Sequence, residues 1–358
     1  MRQQNSCVAQ WQSQRTVNPC VVGSSPTAGA IIFTKEREKM IKKHFTRTGC
    51  IISDTDKHME YLYVGDYGKE NNIKADFLNY TKKINKVEHK EVNLSDKLVV
   101  TISTQKGCPM SCKFCDCPNV GFKGNISRED LFEEVENSIL FSKCKFTERF
   151  NLHLARMGEP SFNEDVLDFV EFDLKECVEK NMSAKVIHPV FTTMLPKSNN
   201  KLVERIIRWC NIKNTIYDGE AGLQFSINST DEEQRNDLFN GRSLSLKEIS
   251  EIAKQLPKPK GRKYTLNFPV TDKTILDPKV LSSLFSKDEW IVKITPIHET
   301  HTAKKNGLET TNGYYSYDVY DKFEKPLLKE GWQVIVFIPS LEEDEDRITC
   351  GNALLADL

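Results

Sequence analysis

The sequence predicts an α/β protein built around a partial (β/α)6-type TIM barrel with a short N-terminal extension. Two observations carry that reading. From Lys97 onward, short apolar, β-branched runs alternate with longer amphipathic stretches, and repeated strand–helix alternation builds a parallel sheet. Small polar residues also recur just after successive strand-like runs, the end at which a barrel has its mouth. With 39% hydrophobic and 28% charged residues, the 358-residue chain has apolar material for one large core or two modest ones.

Taken in order, residues 1–39 show neither helical nor strand periodicity. Val21-Val22-Gly23-Ser24-Ser25-Pro26 is what a tRNA gene's T-arm spells when read through in a protein frame, so this segment is expected to be a read-through or disordered leader, with initiation at Met40; a targeting peptide is the alternative. Residues 40–96 lack the strand–helix alternation and contain strand-like pieces such as Tyr61-Leu62-Tyr63-Val64. They are expected to be an extension packed on the barrel. The barrel itself is assigned to residues 97–340. Its strands are predicted at Leu98–Ile102, Asn151–Ala155, Lys185–Phe191, Leu223–Ile227, Tyr264–Val270, Trp290–Thr295 and Gln333–Ile338. The intervening helices are predicted at Ser127–Phe141, Glu164–Glu179, Lys201–Trp209, Leu246–Leu256, Pro278–Phe285 and Tyr317–Lys329. Ser127 followed by Glu129 and Asp130 is an N-terminal cap with acids in the first turn. Residues 341–358 form a tail that carries Cys350, and its acidic run Glu342–Asp346 reads as a solvated loop.

Charge excludes a simple class. Fifty Lys plus Arg against 51 Asp plus Glu give a net charge of -1, so any RNA partner needs a local basic surface. No run approaches the roughly 18 apolar residues of a membrane span, which predicts a cytoplasmic protein without a membrane partner. The 11 cysteines are unevenly spaced, and Cys108, Cys112 and Cys115 fall within eight residues, which favours metal binding in a reducing compartment over disulfides.

Those three thiols directly follow the first barrel strand. Three thiolates hold three irons of a 4Fe-4S cluster and leave the fourth open to a substrate-like ligand. The competing reading is a zinc site that takes Cys117 as its fourth ligand, a metal-stabilised binding module rather than an enzyme. Loops after later strands add polar groups: Gly158 and Glu159 in Met157-Gly158-Glu159-Pro160, then Thr192, Ser226 with Asn228, and His298. Gly158 permits close backbone approach, and the Glu159 carboxylate suits an ammonium group.

The run Ser103–Cys108 with Cys112-Lys113-Phe114-Cys115 and Gly121-Phe122 resembles the RlmN/Cfr group of radical S-adenosylmethionine (SAM) RNA methyltransferases. Met157–Asn163 resembles that group's MGEPLxN segment, Ser226–Ser229 its SLHA segment, and Arg347–Leu354 its terminal segment with Cys-Gly. The resemblance covers about Asp96 to Leu354. It implies a radical SAM barrel that binds a 4Fe-4S cluster on Cys108, Cys112 and Cys115. It implies SAM held by Gly158, Glu159, Thr192, Ser226, Asn228 and His298, and methyl transfer to an adenosine carbon of rRNA or tRNA. Cys350 would carry the methyl group, Glu91 (or Glu88) would be a catalytic carboxylate, and an electron donor such as flavodoxin would serve a monomeric enzyme.

The sequence also departs from that group. Thr101 stands where the group has its resolving cysteine, and a hydroxyl cannot form a disulfide; Cys117 or Cys50 is the available substitute. The N-terminal RNA-binding domain is reduced, and His298 replaces an Asn. A radical SAM enzyme acting on another substrate, with Cys350 not a methyl carrier, is the alternative.

Overall fold

The computed structural model describes residues 41–65, 74–75, 80–81, 94–339 and 341–357, within the compact unit Ile41–Leu358. The expectations for residues 1–39, Glu88 and Glu91 lie outside the described residues.

Three strands come first, β1 (Ile41–Phe45), β2 (Gly49–Asp54) and β3 (Met59–Gly65), followed by the short β4 (Lys74–Ala75) and β5 (Tyr80–Thr81). The barrel strands are β6 (Lys97–Thr101), β7 (Phe146–His153), β8 (Ser183–Thr193), β9 (Gly222–Ser226), β10 (Tyr264–Val270), β11 (Trp290–Pro296) and β12 (Val334–Val336). Neighbours from β6 to β12 pair in parallel, so the seven strands are joined by six helical crossovers. The sheet order is β1-β2-β3-β6-β7-β8-β9-β10-β11-β12-β4-β5.

The crossover helices form where the sequence caps them. Ser127 accepts from the Asp130 amide at the start of Arg128–Ser142, and Ser245 with Glu248 closes a capping box on Leu246–Ala253. The second predicted helix is two α segments, Glu164–Asp168 and Leu174–Asn181, joined through a π turn at Phe169–Asp173. Outward-facing Leu98, Val100, Phe150, Leu152, Phe225 and Ile294 are fully buried in the main core beneath these helices. The opposite face of each strand turns inward, as period-2 alternation requires. It lines a lumen of about 770 Å³ rather than a packed interior.

The N-terminal extension packs on the barrel, where Cys50, Ile52, Met59 and Tyr61 join the main core, and it also continues the sheet: β3 runs antiparallel to β6 with Leu62 opposite Thr101, and Tyr61 and Leu62, on opposite faces, are both buried. One expectation is corrected: the acidic run is not a solvated loop. Leu341–Glu345 is helical, and Asp344 is buried among hydrogen-bond donors. Among the described residues, no helix is long and apolar enough to cross a membrane.

Candidate active site

The cysteine loop springs from the end of β6 and is pinned at its base. The Lys106 amide donates to the Gly124 carbonyl and the Lys123 amide to the Lys106 carbonyl, at 2.9 and 2.8 Å. Gly107 has φ of 77°, and a Cβ there would lie 1.7 Å from the Gly121 carbonyl oxygen, so these two glycines let the strands of the loop touch. The Asp116 carboxylate accepts from the His301 and Thr302 amides and the Thr302 hydroxyl, at 3.2, 2.8 and 2.6 Å.

The three thiols are partly buried and close enough to oppose one another's ionisation. Burial, with Cys115 adding to it, pushes Cys108 up to about 12; burial, Cys115 and Cys108 also raise Cys112 well above its ordinary value. Cys115 moves the other way, lowered chiefly by a hydrogen bond with the Cys117 thiol. Among the described residues no three His, Cys, Asp or Glu side chains converge tightly enough for a single metal ion. Mutually repelling thiolates set around a loop suit a polynuclear cation, which supplies positive charge at several corners.

The other expected residues divide into two groups. Thr192, Ser226, Asn228 and His298 line the lumen together with Cys115. Asn228 is buried, has φ of 64°, and neither of its side-chain polar atoms has a partner. His298 Nδ1 lies 3.0 Å from Asp344. Gly158 and Glu159 instead support the loop. A Cβ on Gly158, whose φ is 97°, would strike the Gln105 side chain at 2.6 Å and its amide nitrogen at 2.8 Å, so its close approach is to Gln105. The buried Glu159 carboxylate accepts from the Ser161 and Met194 amides at 3.1 and 2.9 Å rather than facing the lumen. An ionised carboxylate has about four acceptor sites, so these two amides orient Glu159 and leave it capacity for a further donor such as an ammonium group.

Cys350 lines the same lumen as Cys115 and Thr101. Its sulfur is accessible from that space, yet the surrounding wall pushes the thiol up to about 11, with Cys115 adding to the rise and Arg156 and Lys293 opposing it. The segment carrying it is tied to the cluster loop, since the Asp116 amide donates to the Gly351 carbonyl at 2.7 Å. A fully buried ion pair holds both of its flanks. Arg156 Nε donates to Glu60 Oε1 at 2.8 Å, while Arg156 Nη1 donates to the Arg347, Ile348 and Thr349 carbonyls at 3.0, 3.3 and 3.4 Å. Glu60 in turn accepts from the Leu354 and Leu355 amides at 3.1 and 2.9 Å. Asp344 completes the frame through His298, the Glu299 amide at 2.8 Å, and the Tyr314 and Thr349 hydroxyls.

Sequence reasoning missed Glu60, Arg156, Asp344 and Asp116. A lone carboxylate in a strand gives no local signal of a partner 96 residues away. Arg156 had one, as a charged residue directly before Met157-Gly158 in an otherwise apolar run.

No family model matches the chain. In sequence it is similar to the probable dual-specificity RNA methyltransferase RlmN of Chlorobium phaeobacteroides, at 25% identity over 55% of this chain and 52% of that protein. The corresponding Carboxydothermus hydrogenoformans protein is 25% identical over 66% and 64%, and the dual-specificity RNA methyltransferase RlmN of Syntrophobacter fumaroxidans 27% over 51% and 49%. The chain thus spans about half to two thirds of the length of these curated relatives. In fold it is similar to a radical SAM methyltransferase from Sphaerobacter thermophilus, with a TM-score of 0.58 and 16% identity over 87% of this chain and 81% of that one. Sequence relatives and fold agree with the site just described: they support an RlmN-like reading of the sequence on the fold of a radical SAM methyltransferase.

Proposed function

We propose that this chain is a radical SAM enzyme that adds a methyl group to an adenosine carbon of rRNA or tRNA, with Cys350 as the methyl carrier. The observation that carries the reading is that Cys350 opens into the same lumen as Cys115 of the cluster loop. Cys108, Cys112 and Cys115 would hold a 4Fe-4S cluster. Reduced and with SAM bound, that cluster supplies the electron that cleaves SAM and starts radical chemistry.

The chain's own residues then have separable tasks. Ser226, Thr192 and the unpartnered amide of Asn228 would bind SAM at the mouth, with His298 held by Asp344 as a further polar contact. Glu159 and Gly158 would set the shape of the cluster loop. The Glu60–Arg156 pair would fix the height of Cys350, and the positive charge of Arg156 and Lys293 favours its thiolate against burial. Thr101 faces the lumen where a resolving thiol would stand, and Cys117 is the nearby thiol able to take that task. The reading includes a flavodoxin-type electron donor, a monomeric state and a cytoplasmic location.

The test is anaerobic incubation of the reconstituted enzyme with reductant, methyl-labelled SAM and purified rRNA or tRNA. Label on an adenine carbon is the expected result. SAM cleavage without RNA labelling would favour the second reading, a radical SAM enzyme on another substrate, which Thr101 at the resolving position supports.

A further inference from the structure

Val292 and Ile294 on β11 are fully buried in the main core, so Lys293 between them points the other way, into the lumen. Its register neighbours, Asn267 on β10 and Ile335 on β12, carry no charge. Among the described residues its ammonium meets the Phe337 ring face, 5.3 Å from the centroid, and pairs with no carboxylate. At the exit of β7 stand His153, on which Lys293 acts electrostatically, and, two residues further on, Ala155, whose carbonyl lies 3.6 Å from the Cys350 sulfur. Lys293 and Cys350 act on each other in turn: the ammonium favours the thiolate, and the thiolate favours the ammonium.

Burial lowers Lys293 to about 8, Cys350 opposes the fall, and Lys97 from β6 adds to it. Cys350 also faces Cys115 of the cluster loop, which disfavours its thiolate, and Arg156, which favours it. Of the wall's other ionisable groups, Arg149 pairs with Glu220 and His298 with Asp344, and burial holds His153 and His188 neutral. Arg262, Lys263 and Glu343 complete them. A histidine held down to about 3 binds a proton too weakly to serve as a base here. An amine that gives up its proton near pH 8 is matched to neutral solution, and a flexible four-carbon stem lets its nitrogen move within the lumen.

We propose that Lys293 is the proton acceptor of the Cys350 thiol, taking the proton in its amine form as the sulfur turns nucleophile. The step rests on the reading of Cys350 as the methyl carrier. The bond between the SAM sulfur and its methyl group breaks with the electron pair staying on the departing S-adenosylhomocysteine. A lone pair of the Cys350 sulfur forms the new bond to that carbon, and the thiol proton ends on Lys293 as an ammonium. Nothing is oxidised or reduced. Solvent then takes the proton and restores the amine. Lys293 is thereby more than a fixed charge beside the thiolate, which is all that Arg156 supplies.

The experiment follows alkylation of Cys350 by iodoacetamide in the full chain between pH 6.5 and 9.5, with the Cys350 peptide read by mass because Cys108, Cys112 and Cys115 are free thiols as well. The rate should climb through about pH 8 and level off above it, as the amine form of Lys293 fills. Lys293→Met should slow the reaction about tenfold or more at pH 8, the usual effect of removing an opposite charge beside a thiolate, and its rate should keep climbing to pH 9.5 without a bend. Lys293→Arg keeps the charge and cannot take a proton, so the rate at pH 7 should stay near native while the bend disappears. This variant decides the matter if Lys293→Met does not fold. A native profile without a bend near pH 8, or a bend that survives in both variants, overturns the proposal. Methyl-labelled SAM separates it from the reading beneath it: a bend with no label on Cys350 keeps the proton acceptor and removes the methyl carrier, and label without a bend does the reverse.

Discussion

The sulfurs of Cys350 and Cys117 hang from consecutive carbonyls of one strand exit. Cys350 Sγ lies 3.6 Å from the Ala155 oxygen, and Cys117 Sγ lies 3.2 Å from the Arg156 oxygen. Cys117 is also 3.9 Å from the Asn352 carbonyl, in the segment that carries Cys350. Cys50 is elsewhere, fully buried in the main core. If a second thiol resolves a covalent intermediate on Cys350, Cys117 is the one to do so. Cys117→Ala is therefore expected to stall turnover as a protein–RNA crosslink, visible as a slow band in a denaturing gel. Cys50→Ala should turn over normally and lose only about 1 kcal/mol of stability. Crosslink accumulation in Cys50→Ala alone would reverse the assignment.

Arg156→Met removes one member of a fully buried pair and leaves the Glu60 carboxylate without its partner. The expected loss is about 3–5 kcal/mol of unfolding free energy, read from urea midpoints. The same change frees three carbonyls that precede Cys350, so alkylation of Cys350 by iodoacetamide should accelerate. A variant that is destabilised but alkylated at the native rate would mean that the pair supports the barrel and does not position the Cys350 segment.

His153 lines the lumen and is held down to about 3, first by burial and then by Lys293 and Lys97. Its folded value is below its unfolded one, so the folded state binds fewer protons. Stability from this group is complete above about pH 6.5 and is lost as pH falls from there toward about 3. Between pH 6.5 and 5 the loss is up to about 2 kcal/mol. His153→Gln should flatten the urea midpoint over that interval by this amount. His188, lowered by burial and by Arg262 and Arg149, accounts for slope that remains. An unchanged slope in the variant would show that His153 is protonated in the folded chain.

Much of this architecture was legible because the period-2 pattern is strong on the helix-covered face. Leu98, Val100, Phe150 and Leu152 announce β6 and β7, and every predicted barrel strand is present with shifts at its ends. β7 and β8 begin earlier than expected, at Phe146 and Ser183, since exposed polar residues can extend a strand that is already paired. The short helices His301–Lys305 and Leu341–Glu345 were unread because neither has an apolar periodicity of its own. The mouth residues were found from their place after each strand, whereas Lys293 and Asn151 look like ordinary strand residues. Only the register reveals that they face one void. Glu60 and Arg156 meet by tertiary folding and leave no local pattern.

Anaerobic reconstitution with iron and sulfide should give the broad visible absorption of a 4Fe-4S centre, and Cys112→Ala should abolish it. Cys112 is the informative position because burial and both neighbouring thiols oppose its ionisation, which a bound cluster would offset. A stoichiometric zinc content with no iron uptake would refute the cluster assignment.

Cys350 decides between the two enzymatic readings. The cluster loop and the Cys350 segment share one lumen and are joined by the Asp116–Gly351 hydrogen bond, yet no cluster thiol lies on that segment. Radical generation and methyl transfer should therefore separate on substitution. Cys350→Ala is expected to cleave SAM to 5′-deoxyadenosine at near the native rate while transferring no methyl group. The native chain, given reductant and methyl-labelled SAM, should acquire label on the peptide containing Cys350. Because the wall around it raises that thiol to about 11, self-methylation should quicken as pH rises from 7 to 9. Cys350→Ser, which keeps the shape but not the nucleophile, should match Cys350→Ala in both assays. Unlabelled Cys350, with native activity in either variant, would remove the methyl-carrier mechanism and leave a radical SAM enzyme whose substrate is set by the rest of the lumen.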